Sequence, residues 1–386
     1  MLDRELTEQL LDRGYSRRSL GRIAALIGGG AAVSSILGSG AAAQSQAARG
    51  VAGAVQIGAN ECWAGPFPVA AQAAAEIIAR GNRYDPADER GKLVRTVAAV
   101  EKMPEDRVVT WPGSGDPLVR SVISFCSPTK GLVTADPTFE SVWRAASWLE
   151  APVSKVPLAP GGGTNARAML AANPAAGLYY ICSPNNPTGT VTPLAEIEWL
   201  VANKPADSVV LIDEAYLHFS EAPSAAHLAA TRTDVMVMRT FSKLFGMAGM
   251  RLGLTFAAPE LHKRMMRYDG FQVTGTLPMT AVACGNAAYT QADLIKARRA
   301  EMVAVREETI AQLKQRGLTV HPNSQANMFM VDWGDRQAKD VQAALLAQKV
   351  QIGRNWAIWP TVSRVTVGSA SEMASFVTAV DAVTKA

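Results

Sequence analysis

Val209-Val210-Leu211-Ile212-Asp213-Glu214-Ala215-Tyr216 places four apolar side chains in a row and closes them with two carboxylates and a phenol. An uninterrupted apolar run predicts a strand buried on both faces, as in parallel sheets. Outward from it, similar short runs recur at Val108 to Trp111, Gly131 to Thr134, Leu178 to Cys182, Val235 to Arg239 and Leu252 to Phe256. Segments of 3.6-residue periodicity lie between them, such as Thr138 to Leu149 and Leu194 to Asn203. Strands alternating with helices predict an α/β fold, a mostly parallel sheet flanked by helices. After Pro278 the texture changes. Ala292 to Arg316 reads as one amphipathic helix, with Ile295, Met302, Val305, Ile310 and Leu313 on one side and Gly317 as its C-cap. A strand at Asn327 to Val331, a helix at Gln337 to Gln348, a strand at Arg364 to Gly368 and a closing helix predict a smaller α+β unit.

Composition narrows the function classes. The 386 residues are 48% hydrophobic and 19% charged, enough to bury a core and unlike a disordered chain. Against a net charge of +4, the 38 basic and 34 acidic side chains form no basic block, which argues against a dedicated nucleic-acid binder. Cys62, Cys126, Cys182 and Cys284 form no CxxC pair, and His218, His227, His262 and His321 show no ligand spacing. Neither a disulfide scaffold nor a metal site is expected, and the histidines are expected at the surface or in structural roles. No apolar run reaches the roughly 20 residues of a membrane span.

The N-terminus has its own order: Ser16-Arg17-Arg18-Ser19-Leu20-Gly21, a weakly apolar stretch from Ile23 to Leu37, then Ala41-Ala42-Ala43. A charged region, a short apolar region and a small-residue cleavage site in that order resemble a twin-arginine export signal. On this reading cleavage follows Ala43 and the folded enzyme begins near Gln44. The other reading is a flexible Gly/Ala-rich extension carrying a chance arginine pair.

Four islands carry chemistry. Trp111-Pro112-Gly113-Ser114-Gly115-Asp116-Pro117 turns from a strand into a helix, whose N-terminal amides suit a phosphate; taken alone it is equally a structural turn. Ser183 to Thr190 follows a buried strand, where open α/β sheets bind ligands. Asp213 at a strand end can pair with a cation. In Arg239-Thr240-Phe241-Ser242-Lys243-Leu244-Phe245-Gly246, followed by Gly249-Met250-Arg251, apolar neighbours would lower the proton affinity of Lys243 and favour an amine able to attack a carbonyl; taken alone it reads more often as a surface lysine.

Together with Asn60-Glu61, Asn82-Arg83-Tyr84 and Arg364-Val365-Thr366-Val367-Gly368, these islands make the chain resemble a fold type I pyridoxal-phosphate (PLP) aminotransferase, in the histidinol-phosphate aminotransferase branch. The resemblance implies that Lys243 forms the aldimine with the cofactor and moves the substrate proton. It implies that Asp213 pairs with the pyridine nitrogen, that Asn186 and Tyr216 bond its phenolic oxygen, and that Phe139 stacks on the ring. Ser114, Gly115, Thr240, Ser242 and Arg251 would hold the phosphate. Tyr84 would reach the partner's site in a homodimer, and Arg364, with Asn327 and Asn60, would meet the substrate. The resemblance also implies a division into a leader (1–43), an N-terminal segment joining the small domain (44–80), a large PLP-binding domain (81–291), and a linking helix with the small domain (292–386).

Departures bear on substrate. The helix after the phosphate turn begins Gly115-Asp116-Pro117, Cys62 and Trp63 occupy the N-terminal substrate loop, and Trp356 and Trp359 lie near Arg364 in sequence. The expectation is an exported, periplasmic aminotransferase taking an amino-acid donor and a 2-oxo-acid acceptor, with the twin-arginine translocase as a passing partner and no stable membrane anchor. The alternatives are a PLP-dependent decarboxylase or lyase, or a cytosolic histidinol-phosphate aminotransferase.

Overall fold

The computed structural model describes residues 3–28 and 52–384. In chain order its strands are β1 (Val55–Ile57), β2 (Val108–Trp111), β3 (Leu132–Asp136), β4 (Val153–Pro157), β5 (Leu178–Cys182), β6 (Val209–Asp213), β7 (Val235–Thr240), β8 (Gly253–Ala257), β9 (Thr319–Val320), β10 (Met328–Asp332), β11 (Val350–Ile352), β12 (Asn355–Trp356) and β13 (Trp359–Thr366). The principal sheet has the order β2-β8-β7-β6-β5-β3-β4. β3, β4, β5, β6 and β7 pair in parallel, whereas β8 is antiparallel to both β2 and β7. Every strand of this sheet but β8 therefore points the same way, and their carboxyl ends share one edge. β5, β6, β7 and β8 are buried along their whole length, as their apolar runs predict.

β4 escapes a reading from hydrophobicity because it is the sheet edge: of Val153–Pro157 only Val156 is buried, and Ser154 and Lys155 break the apolar run. The short strands β1, β9, β11 and β12 were unforeseen as well; β1 pairs in parallel with β11 (Val55 opposite Val350, Ile57 opposite Ile352) and so ties the N-terminal segment to the C-terminal unit. That unit carries a second sheet of order β12-β13-β10-β9. The helix Ala292–Gln315 leads into it. Gly317, at φ 78°, closes that helix: its N–H bonds the Lys314 carbonyl at 2.9 Å and the Leu318 N–H bonds the Leu313 carbonyl at 3.1 Å. This is the left-handed cap that the glycine predicts.

Folded structure starts well before Gln44. Helices Arg4–Asp12 and Arg17–Gly28 pack on the large domain, and Leu6, Leu10, Tyr15, Ile23 and Leu26 join the cluster containing Val122, Phe125, Cys126 and Leu149. The physical reason is amphipathic spacing joined to a polar dock. Arg13 donates to the carbonyls of Ile123 (2.9 Å), Ser124 (3.0 Å) and Cys126 (2.6 Å), at and just past the end of helix Gly115–Phe125, where helix carbonyls lack intrahelical partners. Tyr15 donates to Cys126 O at 2.7 Å, and Arg22 reaches Trp148 O and Glu150. Ala41-Ala42-Ala43 and the proposed cleavage point lie outside the described residues. His262 is a core residue, bonded to Thr255 Oγ1 at 2.9 Å.

Candidate active site

Strand direction assembles the site. β2, β3, β5, β6 and β7 deliver Gly113, Asp136, Ser183, Asp213 and Thr240 to the same edge, and antiparallel β8 begins there, just after Arg251. Ligands of open α/β sheets bind at this edge.

At its centre Asp213 is 3% exposed. Its Oδ2 accepts from the Tyr180 hydroxyl at 2.8 Å and its Oδ1 from the Ala215 N–H at 3.0 Å. Burial raises its carboxyl to about 6, against the pull of those two bonds and of Lys243. Lys243 donates to Asn60 O at 3.0 Å and lies 5.4 Å from the Tyr216 ring centroid. Burial, with the Arg364 guanidinium nearby, lowers its amine to about 8. The two groups are thus drawn together on the pH scale, an arrangement typical of functional sites.

Asn60 is the hub of this cluster. Its Nδ2 donates to Tyr216 Oη at 3.1 Å, its N–H donates to Thr366 Oγ1 at 2.9 Å, and Thr366 donates back to its Oδ1 at 3.0 Å. Asn60, expected as a substrate contact, has its polar atoms engaged within the protein, at a φ of 54° that asparagine tolerates. Arg364 donates to Asn186 Oδ1 at 2.8 Å and to Gly58 O at 2.6 Å, and its Nε has no partner. Asn327 is fully buried, donates to Glu61 O at 3.1 Å and leaves Oδ1 without a partner. Phe139 lies half-buried just past β3. Lys243, Asn60 and Tyr216 are thereby joined by hydrogen bonds and a ring contact, Arg364 and Asn186 by a hydrogen bond, and Asp213 and Arg364 act on Lys243 through their charges.

A second group adjoins them. Thr240 and Ser242 are buried and bonded hydroxyl to hydroxyl at 3.0 Å, and Arg251 donates to Ser242 Oγ at 3.2 Å. Ser114 and Gly115 open the helix Gly115–Phe125, and the space where a side chain would stand on Gly115 is empty. Gly113, at φ 84°, lies against the Arg251 guanidinium so closely that a Cβ would collide with it. A guanidinium, two hydroxyls and a helix N-terminus make an anion cradle.

Tyr84 stands apart, 95% exposed. Two features were not foreseen. One is Tyr180, hidden because a tyrosine in an apolar strand reads as core. The other is an ion pair between the two units, Arg354 Nη1 to Glu140 Oε2 at 2.7 Å, with Arg144 on the same oxygen and Trp356 flanked by Arg354 and Arg364. Among the described residues no group of three or more His, Cys, Asp or Glu could hold a metal ion.

Known proteins align with this arrangement. A family model described as aminotransferase class I and II matches residues 53–380. A histidinol-phosphate aminotransferase of Symbiobacterium thermophilum is 33% identical over 332 residues, 85% of this chain and 90% of the relative. An aromatic amino acid aminotransferase of Rhodococcus erythropolis is 32% identical over 289 residues, 74% of this chain and 79% of the relative. The fold is similar to the structure of a histidinol-phosphate aminotransferase from Sinorhizobium meliloti in complex with pyridoxal-5'-phosphate, at a TM-score of 0.79 and 23% identity, over 90% of this chain and 95% of that one.

Proposed function

The chain belongs to the class I and II aminotransferase family, and from that premise we infer which of its residues carry each part of the reaction. It is a PLP-dependent aminotransferase, exchanging an amino group between an amino acid and a 2-oxo acid. The donor set fits the cofactor: an anion cradle with open space over Gly115, a buried carboxylate suited to a basic ring nitrogen, and a lysine whose amine burial has lowered to about 8. Bound PLP supplies an electron-accepting ring and the carbon that carries the amino group.

In the proposed division of labour, Arg251, Ser242, Thr240 and the amides of Ser114 and Gly115 grip the phosphate, and Asp213 keeps the ring nitrogen protonated. Asn186 and Tyr216 would bond the phenolic oxygen, and Phe139 would cover the ring. Arg364 takes the substrate α-carboxylate, a bidentate match for a guanidinium. Lys243, neutral at modest cost, would serve as the base for the substrate Cα proton and as the acid that gives it back. The observation that carries this reading is the convergence on one sheet edge of buried Asp213, of Lys243 held on Asn60 O and of the Arg251–Ser242–Thr240 cradle. Incubation with an amino-acid panel tests it: the expected product is pyridoxamine phosphate, whereas carbon dioxide release without it supports a decarboxylase. Lys243→Ala is expected to abolish turnover.

The substrate proposal is a donor with a ring-bearing side chain. Relatives named for aromatic amino acids and for histidinol phosphate support the ring, and the engagement of Arg354 by Glu140 favours an uncharged ring over a phosphate-bearing one. Comparing phenylalanine with histidinol phosphate as donors separates the two. We also propose a homodimer in which Tyr84, exposed on the single chain, completes the partner's site. Mixing inactive Tyr84→Ala and Lys243→Ala proteins should then restore activity, because the hybrid holds one intact site. Finally, we propose export by the twin-arginine route to the periplasm. It is supported by the order of the N-terminal segments and by Arg17 and Arg18, whose exposed side chains make no hydrogen bond or ion pair with other described residues. Cell fractionation tests it: replacing both arginines by lysine should retain the enzyme in the cytoplasm.

A further inference from the structure

The hydroxyl of Tyr180 has no reason to be in an apolar core unless something there requires it. Tyr180 is fully buried on β5, and phenylalanine would fill the same space without a polar atom to desolvate. The register explains its reach. Cys182 stands opposite Asp213 across β5 and β6, so Tyr180, two residues back on the same face, is the diagonal neighbour of Asp213 and close enough for an aromatic side chain to bridge.

We propose that Tyr180 is a positioning residue that holds the Asp213 carboxylate ionised and oriented for the cofactor ring nitrogen. With Tyr180 on Oδ2 and the Ala215 N–H on Oδ1, each oxygen of Asp213 is anchored and the carboxylate plane is set. Burial raises the Tyr180 phenol well above its ordinary range, so it stays protonated and donates to the ionised carboxylate. A bond donated to the charged form of an acid favours that form. Tyr180 therefore opposes the burial that pushes Asp213 up to about 6. The other titratable groups acting on Asp213 are Cys182 on β5, Glu214 and Tyr216 beyond β6, and Lys243 after β7. Of these only Lys243, as a cation, works in the same direction as Tyr180.

The inference rests on Asp213 facing the ring nitrogen, and its test separates the two ideas. PLP affinity is measured against pH for the wild type, Tyr180→Phe, Tyr179→Phe and Asp213→Ala, alongside a pH titration of the absorbance of each loaded enzyme. Tyr179 is the control, because it is buried on the opposite face of β5 and donates instead to Asn173 O at 2.7 Å. Titrations of the free cofactor are common to all four proteins and cancel in the comparison. In Tyr180→Phe the acid limb near pH 6 should move up by about one pH unit, while Tyr179→Phe should superimpose on wild type. If Tyr180→Phe superimposes on wild type, or both phenylalanine variants move alike, the proposal is overturned. An unchanged profile in Asp213→Ala overturns the placement of Asp213 itself. Should Tyr180→Phe fail to fold, 3-fluorotyrosine at position 180 keeps the shape and makes a more acidic donor. The limb should then move down; if it stays in place or moves up, the proposal fails.

Discussion

Lys243 and Asp213 have their ordinary proton affinities drawn toward each other by the same cause, loss of water, and each makes a prediction. The neutral amine of Lys243 becomes abundant as pH rises through about 8, so capture of PLP by the cofactor-free enzyme should accelerate across that range. Stopped-flow absorbance at several pH values checks this; a flat profile contradicts it. Asp213 has its folded value raised to about 6 from 3.8, so the folded state binds the extra proton between those limits. Ionising it therefore costs stability above about pH 6, and the cost disappears as pH falls toward 4. Asp213→Asn should stabilise the cofactor-free protein near neutrality, by up to about 3 kcal/mol, and change little at acid pH; thermal melts of the two proteins show the difference. Both residue types were legible in the sequence because they end apolar strands. Tyr180 was not, since only the register across β5 and β6 shows that its hydroxyl meets a carboxylate.

At the level of elements, two glycines do work that their neighbours in sequence announce. Gly113 must turn at positive φ and must leave room for Arg251. Gly113→Ala should weaken PLP binding by more than about tenfold, through left-handed strain of roughly 1–2 kcal/mol and displacement of the guanidinium. Equilibrium dialysis measures the loss. Gly317→Ala should lower stability by about 1 kcal/mol through the helix cap and leave turnover unchanged, a contrast visible by pairing melts with initial rates. Central strands were readable because burial on both faces demands continuous apolar residues. β4 was not, because an edge strand buries little, and β1 was not, because its partner β11 lies nearly three hundred residues away along the chain.

For the whole molecule, the first helices are part of the packed body. Leu10 is fully buried in the same cluster as Phe125 and Leu149, and Leu10→Ala should cost about 2–5 kcal/mol. Deleting residues 1–28 should lower the melting midpoint and uncover an apolar surface beside helix Gly115–Phe125, with activity per folded molecule preserved because the cradle lies at the other end of that helix. Light scattering and melting curves report both effects. By itself the sequence determined the α/β class and the strand ends that bear chemistry, because these follow from local hydrophobic runs and residue chemistry, while the roles of Lys243, Asp213 and Arg364 toward PLP came from the family that its motifs resemble. Tertiary structure alone decided that Asn60 is a hub joining Lys243, Tyr216 and Thr366, that Glu140 engages Arg354, that Tyr180 braces Asp213 and that a leader-like segment is docked. Each of these depends on contacts between distant stretches of chain, and a linear pattern carries no record of which face meets which.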